Sequence, residues 1–135
     1  MLFRSPFILP DQEGTVFVLN LNCNKNVVLV FYPADDTPVC TAQLCEMRDD
    51  WSKLQEKGCF VVGINPGSAA SHGEFRKKHS LPFPLLVDNG KRVSRMYNCD
   101  GIAVRRTVYV IGKDGKIKFA RRGKPSVSDI LNAIS

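Results

Sequence analysis

Apolar and polar positions follow periods that change along this chain, and each period predicts a different element. Val27-Val28-Leu29-Val30-Phe31 is an unbroken apolar run rich in β-branched and aromatic side chains, which predicts a strand buried on both faces. Cys59-Phe60-Val61-Val62-Gly63-Ile64 predicts a second strand of the same kind. Between them Leu44, Met47, Trp51 and Leu54 recur at spacings of three and four with charged residues in the gaps and Gly58 as the stop. That spacing predicts an amphipathic helix of about four turns, opened by Cys40 after the Pro/Asp/Thr loop at Pro33–Pro38. Strand, helix and strand in this order predict a right-handed crossover and a parallel pair.

Either side of this unit the pattern is less regular. Phe7–Leu9 and Thr15–Leu19 flank Pro10-Asp11-Gln12-Glu13-Gly14 and predict an N-terminal hairpin, followed by an Asn-rich loop from Asn20 to Asn26 that contains Cys23. Ser68 or Ser71 can cap a helix running through His79, and the polar neighbours of His72 and His79 predict that both face solvent. Pro82 and Pro84 make Leu81–Asp88 extended, Asn89-Gly90 is a turn, and Lys91–Tyr97 predicts a short helix with Val93, Met96 and Tyr97 on one side. Thr107–Ile111 and Lys116–Ala120 alternate around Asp114-Gly115 as a hairpin. Ser126 caps a last helix whose apolar face is Val127, Ile130, Leu131 and Ile134. The element order predicts an α/β fold: a single domain over residues 1–135, with a central mixed sheet flanked by helices on both faces.

Composition narrows the partners. A net charge of +6 invites a nucleic-acid reading, but the basic residues are scattered from Arg76 to Arg122 without aromatic interleaving, so a solvated basic surface is expected instead. No apolar run is long enough to cross a membrane, and Met1–Pro6 is too short and polar for a signal peptide. A cytoplasmic protein is expected, or a mature form in a soluble, stroma-like compartment. The five cysteines, Cys23, Cys40, Cys45, Cys59 and Cys99, are an odd number in a chain too large to need disulfide staples. Reduced thiols with one or two chemically employed fit that usage, and zinc fails because no second cysteine or histidine pair stands at ligand spacing. Cys23 and Cys59 read as structural. A second redox pair of Cys23 with Cys99 has no support in the local sequence.

Cys40 differs from the others because it lies in the first turn of a helix. Unpaired N–H groups and the positive end of the macrodipole favour its thiolate, which makes it a candidate nucleophile. On helical geometry Cys40 projects along the apolar stripe, whereas Cys45 points roughly 140° away from it. Their Cα atoms would be about 8.6 Å apart in an intact helix, beyond the ~7 Å limit for a disulfide. A bond between them therefore requires the first turns to unwind.

Pro33, Thr37 and Cys40, in the order Pro-x-x-x-Thr-x-x-Cys after a buried strand, resemble the peroxidatic motif of the peroxiredoxins. Cys45, five residues on, resembles the resolving cysteine of the Q-type branch, also called the bacterioferritin comigratory protein type. Val39 stands where that branch commonly has Gly. The likeness runs from Phe7 to the closing helix and implies a thioredoxin-like fold. It also implies roles: Thr37 hydrogen-bonds the peroxide, Pro33 lids the sulfur against water, and Arg106 in Arg106-Thr107-Val108-Tyr109 holds the thiolate and a peroxide oxygen. Gln43 and Arg48 match the branch's pattern and are expected to orient the loop and Arg106. The implied reaction is reduction of hydrogen peroxide or a small organic hydroperoxide by a monomer. A Cys40 sulfenic acid forms, Cys45 resolves it, and thioredoxin or a similar dithiol recycles the disulfide, with no cofactor, metal, nucleic acid or membrane involved. Three alternatives stay open: a thioredoxin-like reductase, for which Cys-x-x-Cys is missing; a non-catalytic module of the same fold; and a one-cysteine peroxidase with Cys45 idle.

Overall fold

The structure, a computed structural model, describes residues 6–19 and 25–134, so the expectation for Cys23 lies outside the described residues. In chain order its elements are β1 (Phe7–Pro10), β2 (Val16–Leu19), β3 (Asn26–Phe31), α1 (Pro38–Asp49), α2 (Trp51–Glu56), β4 (Cys59–Asn65), α3 (Ala69–Lys78), β5 (Leu85–Val87), a 3-10 turn (Asn89–Lys91), α4 (Arg92–Met96), β6 (Thr107–Ile111), β7 (Ile117–Arg122) and α5 (Val127–Ile134). β1 and β2 form the expected hairpin, and the other strands form a sheet in the order β5-β4-β3-β6-β7. β3 is parallel to β4 and antiparallel to β6, which makes the sheet mixed.

Every residue of β3 is buried, because the strand is central and covered on both sides. Val28, Val30 and Tyr32 face a core shared with Leu44 and Met47 of α1, Leu54 of α2, Phe75 of α3, and Val127 and Ile130 of α5. Val27, Leu29 and Phe31 face a second core with Phe7, Leu9 and Leu19 of the hairpin and Val93 and Tyr97 at α4. The period of two along one strand thus separates two apolar layers. Each fully buried side chain of this size contributes roughly 1.5–3 kcal/mol.

Two expectations need correction. The single helix from Cys40 to Gly58 is broken at Asp50, whose backbone (φ −101°, ψ 22°) separates α1 from α2. Asp49 and Asp50 supply the reason: Asp is a poor helix former, and two carboxylates at the C-terminal end of α1 oppose its dipole. Met96 is 39% exposed, and Ser94 instead fills the inner side of α4. The buried carboxylate of Asp88 accepts from the backbone N–H of Val93 and Ser94 and from the Ser94 hydroxyl, which satisfies the free donors at the start of α4. Among the described residues no helix is long and apolar enough to cross a membrane.

Candidate active site

Topology brings Cys40 and Arg106 together. β3 hands over at Phe31 to the loop that starts α1, and β6 runs antiparallel to β3 with Thr107 paired to Phe31. A residue just before β6 therefore lands at the same end of the sheet as the start of α1. Arg106 is held there by its own carbonyl, which accepts from the Gly123 N–H at 2.6 Å. Its Nη2 donates to the Cys40 Sγ at 3.2 Å, and its Nη1 donates to the Gln43 Oε1 at 2.8 Å. Because a guanidinium only donates, the Gln43 oxygen must face it. The Gln43 Nε2 is buried and has no hydrogen-bond partner among the described residues.

Cys40 is the third residue of α1. Thr37 is the N-cap, Pro38 occupies the first turn, where its missing N–H costs nothing, and the Thr37 side chain makes no capping bond. The threonine hydroxyl is thus not spent on the helix end. Val39, the departure from the branch pattern, is 52% exposed at the second helical position, so its side chain meets solvent. The sulfur of Cys40 is almost wholly covered, at 1% exposure for the residue. A cationic donor at 3.2 Å and the first turn of α1 thus meet at that sulfur. Pro33 is half-buried in the same loop. Cys45 is half-buried on the same intact helix, and both cysteines carry free thiols.

Arg48 sits elsewhere than expected. It donates to the His79 carbonyl at 2.7 Å and pairs with Asp49, so it ties α1 to the C-terminal end of α3 and has no bond to Arg106. His79 and Lys78 in turn bind Asp36 of the loop, at 3.2 and 2.9 Å. Gln43, by contrast, joins Arg106 directly.

The expectation that His72 faces solvent is overturned, since it is fully buried. Phe75 is the large apolar residue of α3, and His72, three residues before it, shares its inward face; that spacing was the available signal. Its Nδ1 lies 2.7 Å from Asp35 Oδ2, and its Nε2 lies 2.9 Å from the Leu86 carbonyl. Asp35 also accepts from Tyr32, Ser71 and Asn65, residues that sequence reasoning left unassigned. Burial pushes the Asp35 carboxyl up, but the bonds from His72, Ser71 and Tyr32 outweigh it and hold it below the ordinary carboxylate range. Tyr32 is pushed the other way, by burial first and then by the Asp35 charge, so it stays a phenol. Its ring lies against Gly63, where a Cβ would come within 3.0 Å of Tyr32 Cε1.

The remaining described cysteines stand apart from this site. Cys59 opens β4 at the opposite end of the strand from Asn65, and burial pushes its thiol up to about 11. Burial also raises the Cys99 thiol, although Thr107 and Arg122 beside it act the other way. Among the described residues no group of three or more His, Cys, Asp or Glu could hold a metal.

Residues 5–120 match the AhpC/TSA family. The chain is 41% identical over 117 residues to "Peroxiredoxin Q, chloroplastic" of Oryza sativa subsp. japonica, an overlap of 84% of this chain and 54% of that protein. It is 43% identical over 118 residues to the protein of the same name from Sedum lineare, covering 84% of this chain and 63% of the relative. The chain therefore spans from little over half to under two-thirds of these relatives' length. Among solved structures, that of peroxidoxin BcpB from Mycobacterium tuberculosis superposes with a TM-score of 0.91 at 30% identity, over 98% of this chain and 93% of that one.

Proposed function

The chain belongs to the AhpC/TSA family, and from that premise we propose that it is a thiol peroxidase which reduces hydrogen peroxide and small organic hydroperoxides through Cys40. The contact of Arg106 with the Cys40 sulfur at 3.2 Å carries this conclusion, because it joins a fixed cation to a nucleophile at a helix start. The thiolate attacks the near oxygen of the peroxide in line, the O–O bond breaks, and the departing oxygen leaves as water or alcohol after taking a proton. Arg106 donates to the oxygen that gains charge, and the Thr37 hydroxyl, unused by the helix end, donates to the peroxide. Pro33 lacks an N–H and covers the sulfur from the loop. The unpartnered Nε2 of Gln43 supports a site kept for a polar ligand, since a buried unmet donor is otherwise a cost.

Cys40 leaves this step as a sulfenic acid. The Cys45 thiol attacks that sulfur, a disulfide forms and water leaves; two electrons from thioredoxin or a similar dithiol then restore both thiols. Cys45 shares α1 with Cys40, so resolution goes through unwinding of the first turns.

Stopped-flow peroxide reduction tests the assignment. Cys40→Ser abolishes peroxide consumption, Cys45→Ser keeps one turnover but loses recycling by thioredoxin, and Arg106→Met slows the first step by about 10²-fold, the usual cost of removing one oxyanion donor. Unchanged turnover in Cys40→Ser removes Cys40 as the nucleophile.

A further inference from the structure

Beneath the Pro33–Thr37 loop lies a buried polar cluster that the reaction as written does not use. Asp35 Oδ1 accepts from the Tyr32 hydroxyl at 2.7 Å and from Asn65 Nδ2 at 3.2 Å. Asp35 Oδ2 accepts from the Ser71 hydroxyl at 2.6 Å and faces His72 Nδ1 at 2.7 Å. Four donors use the full accepting capacity of a carboxylate. His72 Nε2 faces the Leu86 carbonyl, which can only accept, so the ring bridges Asp35 to the backbone of β5. The side chains of both partners are almost fully covered, at 0% exposure for His72 and 6% for Asp35.

A buried polar contact of this kind is a weak source of stability, because desolvation offsets most of the attraction, but it fixes geometry. The geometry fixed here is that of the active loop. Asp35 stands between Pro33 and Thr37, two residues from each. Through its partners it ties that loop to the end of β4 by Asn65, to the first turn of α3 by Ser71 and His72, and through His72 to β5 by Leu86. Gly67 closes the cluster from behind: a Cβ there would lie 2.9 Å from Asn65 Oδ1, 3.2 Å from His72 Cε1 and 3.4 Å from Asp35 Oδ2.

We propose that His72 is a positioning residue for the peroxide step: as the bridge between Asp35 and the Leu86 carbonyl, it locks the Pro33–Thr37 loop onto α3 and β5 and so sets where Pro33 and Thr37 meet a peroxide approaching Cys40. This rests on Cys40 being the peroxidatic thiol. Placement of the loop matters to a reaction that needs an in-line peroxide held by the loop, and matters little to an electrophile that needs only to reach the thiolate.

The test compares two reactions of the reduced full chain: oxidation of Cys40 by hydrogen peroxide, followed by the fluorescence of the single tryptophan, Trp51, and alkylation of Cys40 by iodoacetamide, followed by mass. His72→Leu should slow oxidation by at least about tenfold while alkylation changes less than about threefold, and His72→Asn, which keeps a donor toward Asp35, should recover most of the oxidation rate. Should His72→Leu fail to fold, Gly67→Ala, which crowds the cluster without removing a hydrogen bond donor, should show the same split. A wild-type oxidation rate in the folded variant, or an equal fall in both reactions, would overturn the proposal. Wild-type protein that consumes no peroxide would instead overturn the Cys40 reading, and the role of His72 with it.

Discussion

Asp35 shows how one side chain in this protein can be held against its own desolvation. Burial favours the protonated carboxyl, yet bonds from His72, Ser71 and Tyr32 leave it below the ordinary range. The sign for stability follows. As pH falls, the unfolded chain takes up this proton at about pH 3.9 while the native chain does so lower, so the contribution of ionised Asp35 is present above that value and lost as pH falls through the native one. Urea unfolding at a series of pH values should therefore show the gap in stability between wild type and Asp35→Asn widest above about pH 5 and narrowing below about pH 4. A gap that stays constant down to acid unfolding would contradict it. At this scale the sequence is uneven. Pro33, Thr37 and Cys40 are legible because they sit in one strand-loop-helix passage, where the order of residues is also the order in space. Asp35 and His72 are 37 residues apart, and the one local sign that the histidine faces inward is its spacing of three from Phe75. Arg106 is legible only through the motif it matches, since the pairing that brings it to Cys40 belongs to the sheet.

At the scale of elements, α1 has two tasks that pull apart. Its first turn presents Cys40, which needs the helix intact, whereas a Cys40–Cys45 bond needs the same residues unwound. The loop before it is anchored at Asp35 and at Asp36, so the yielding part is the helix and not its approach. Hydrogen exchange should accordingly show protected amides from Thr41 to Met47 in the reduced protein and loss of that protection on oxidation, with β3 unchanged in both. Unaltered protection of α1 in a protein carrying the disulfide would contradict the unwinding. The apolar stripe of Leu44, Met47 and Leu54 was readable from its period, and all three are buried. The break at Asp50 was not, because a 3.6-residue period continues across a short irregularity that backbone propensity introduces. β3 was readable for the opposite reason: a strand with a core on each face has no polar side to show.

For the whole molecule, the decisive feature is that two connections of different kinds meet at one end of the central strands. The parallel crossover puts the start of α1 beyond the carboxyl end of β3, and the antiparallel pairing of β3 with β6 brings Arg106 to meet it. The α/β class and mixed sheet follow from element order alone. The allocation of helices does not: α1, α2, α3 and α5 pack against one core, and the hairpin with α4 covers the other. Everything proposed about chemistry depends on the sulfur at that end of the sheet reacting with a peroxide ahead of the other thiols. Intact mass after one equivalent of hydrogen peroxide measures this most directly. The wild-type chain should lose two hydrogens, with Cys40 and Cys45 joined in the peptide map, and Cys45→Ser should gain a single oxygen on Cys40. Reduced Cys40 in both proteins, or oxygen carried by Cys59 or Cys99 in its place, would contradict the account.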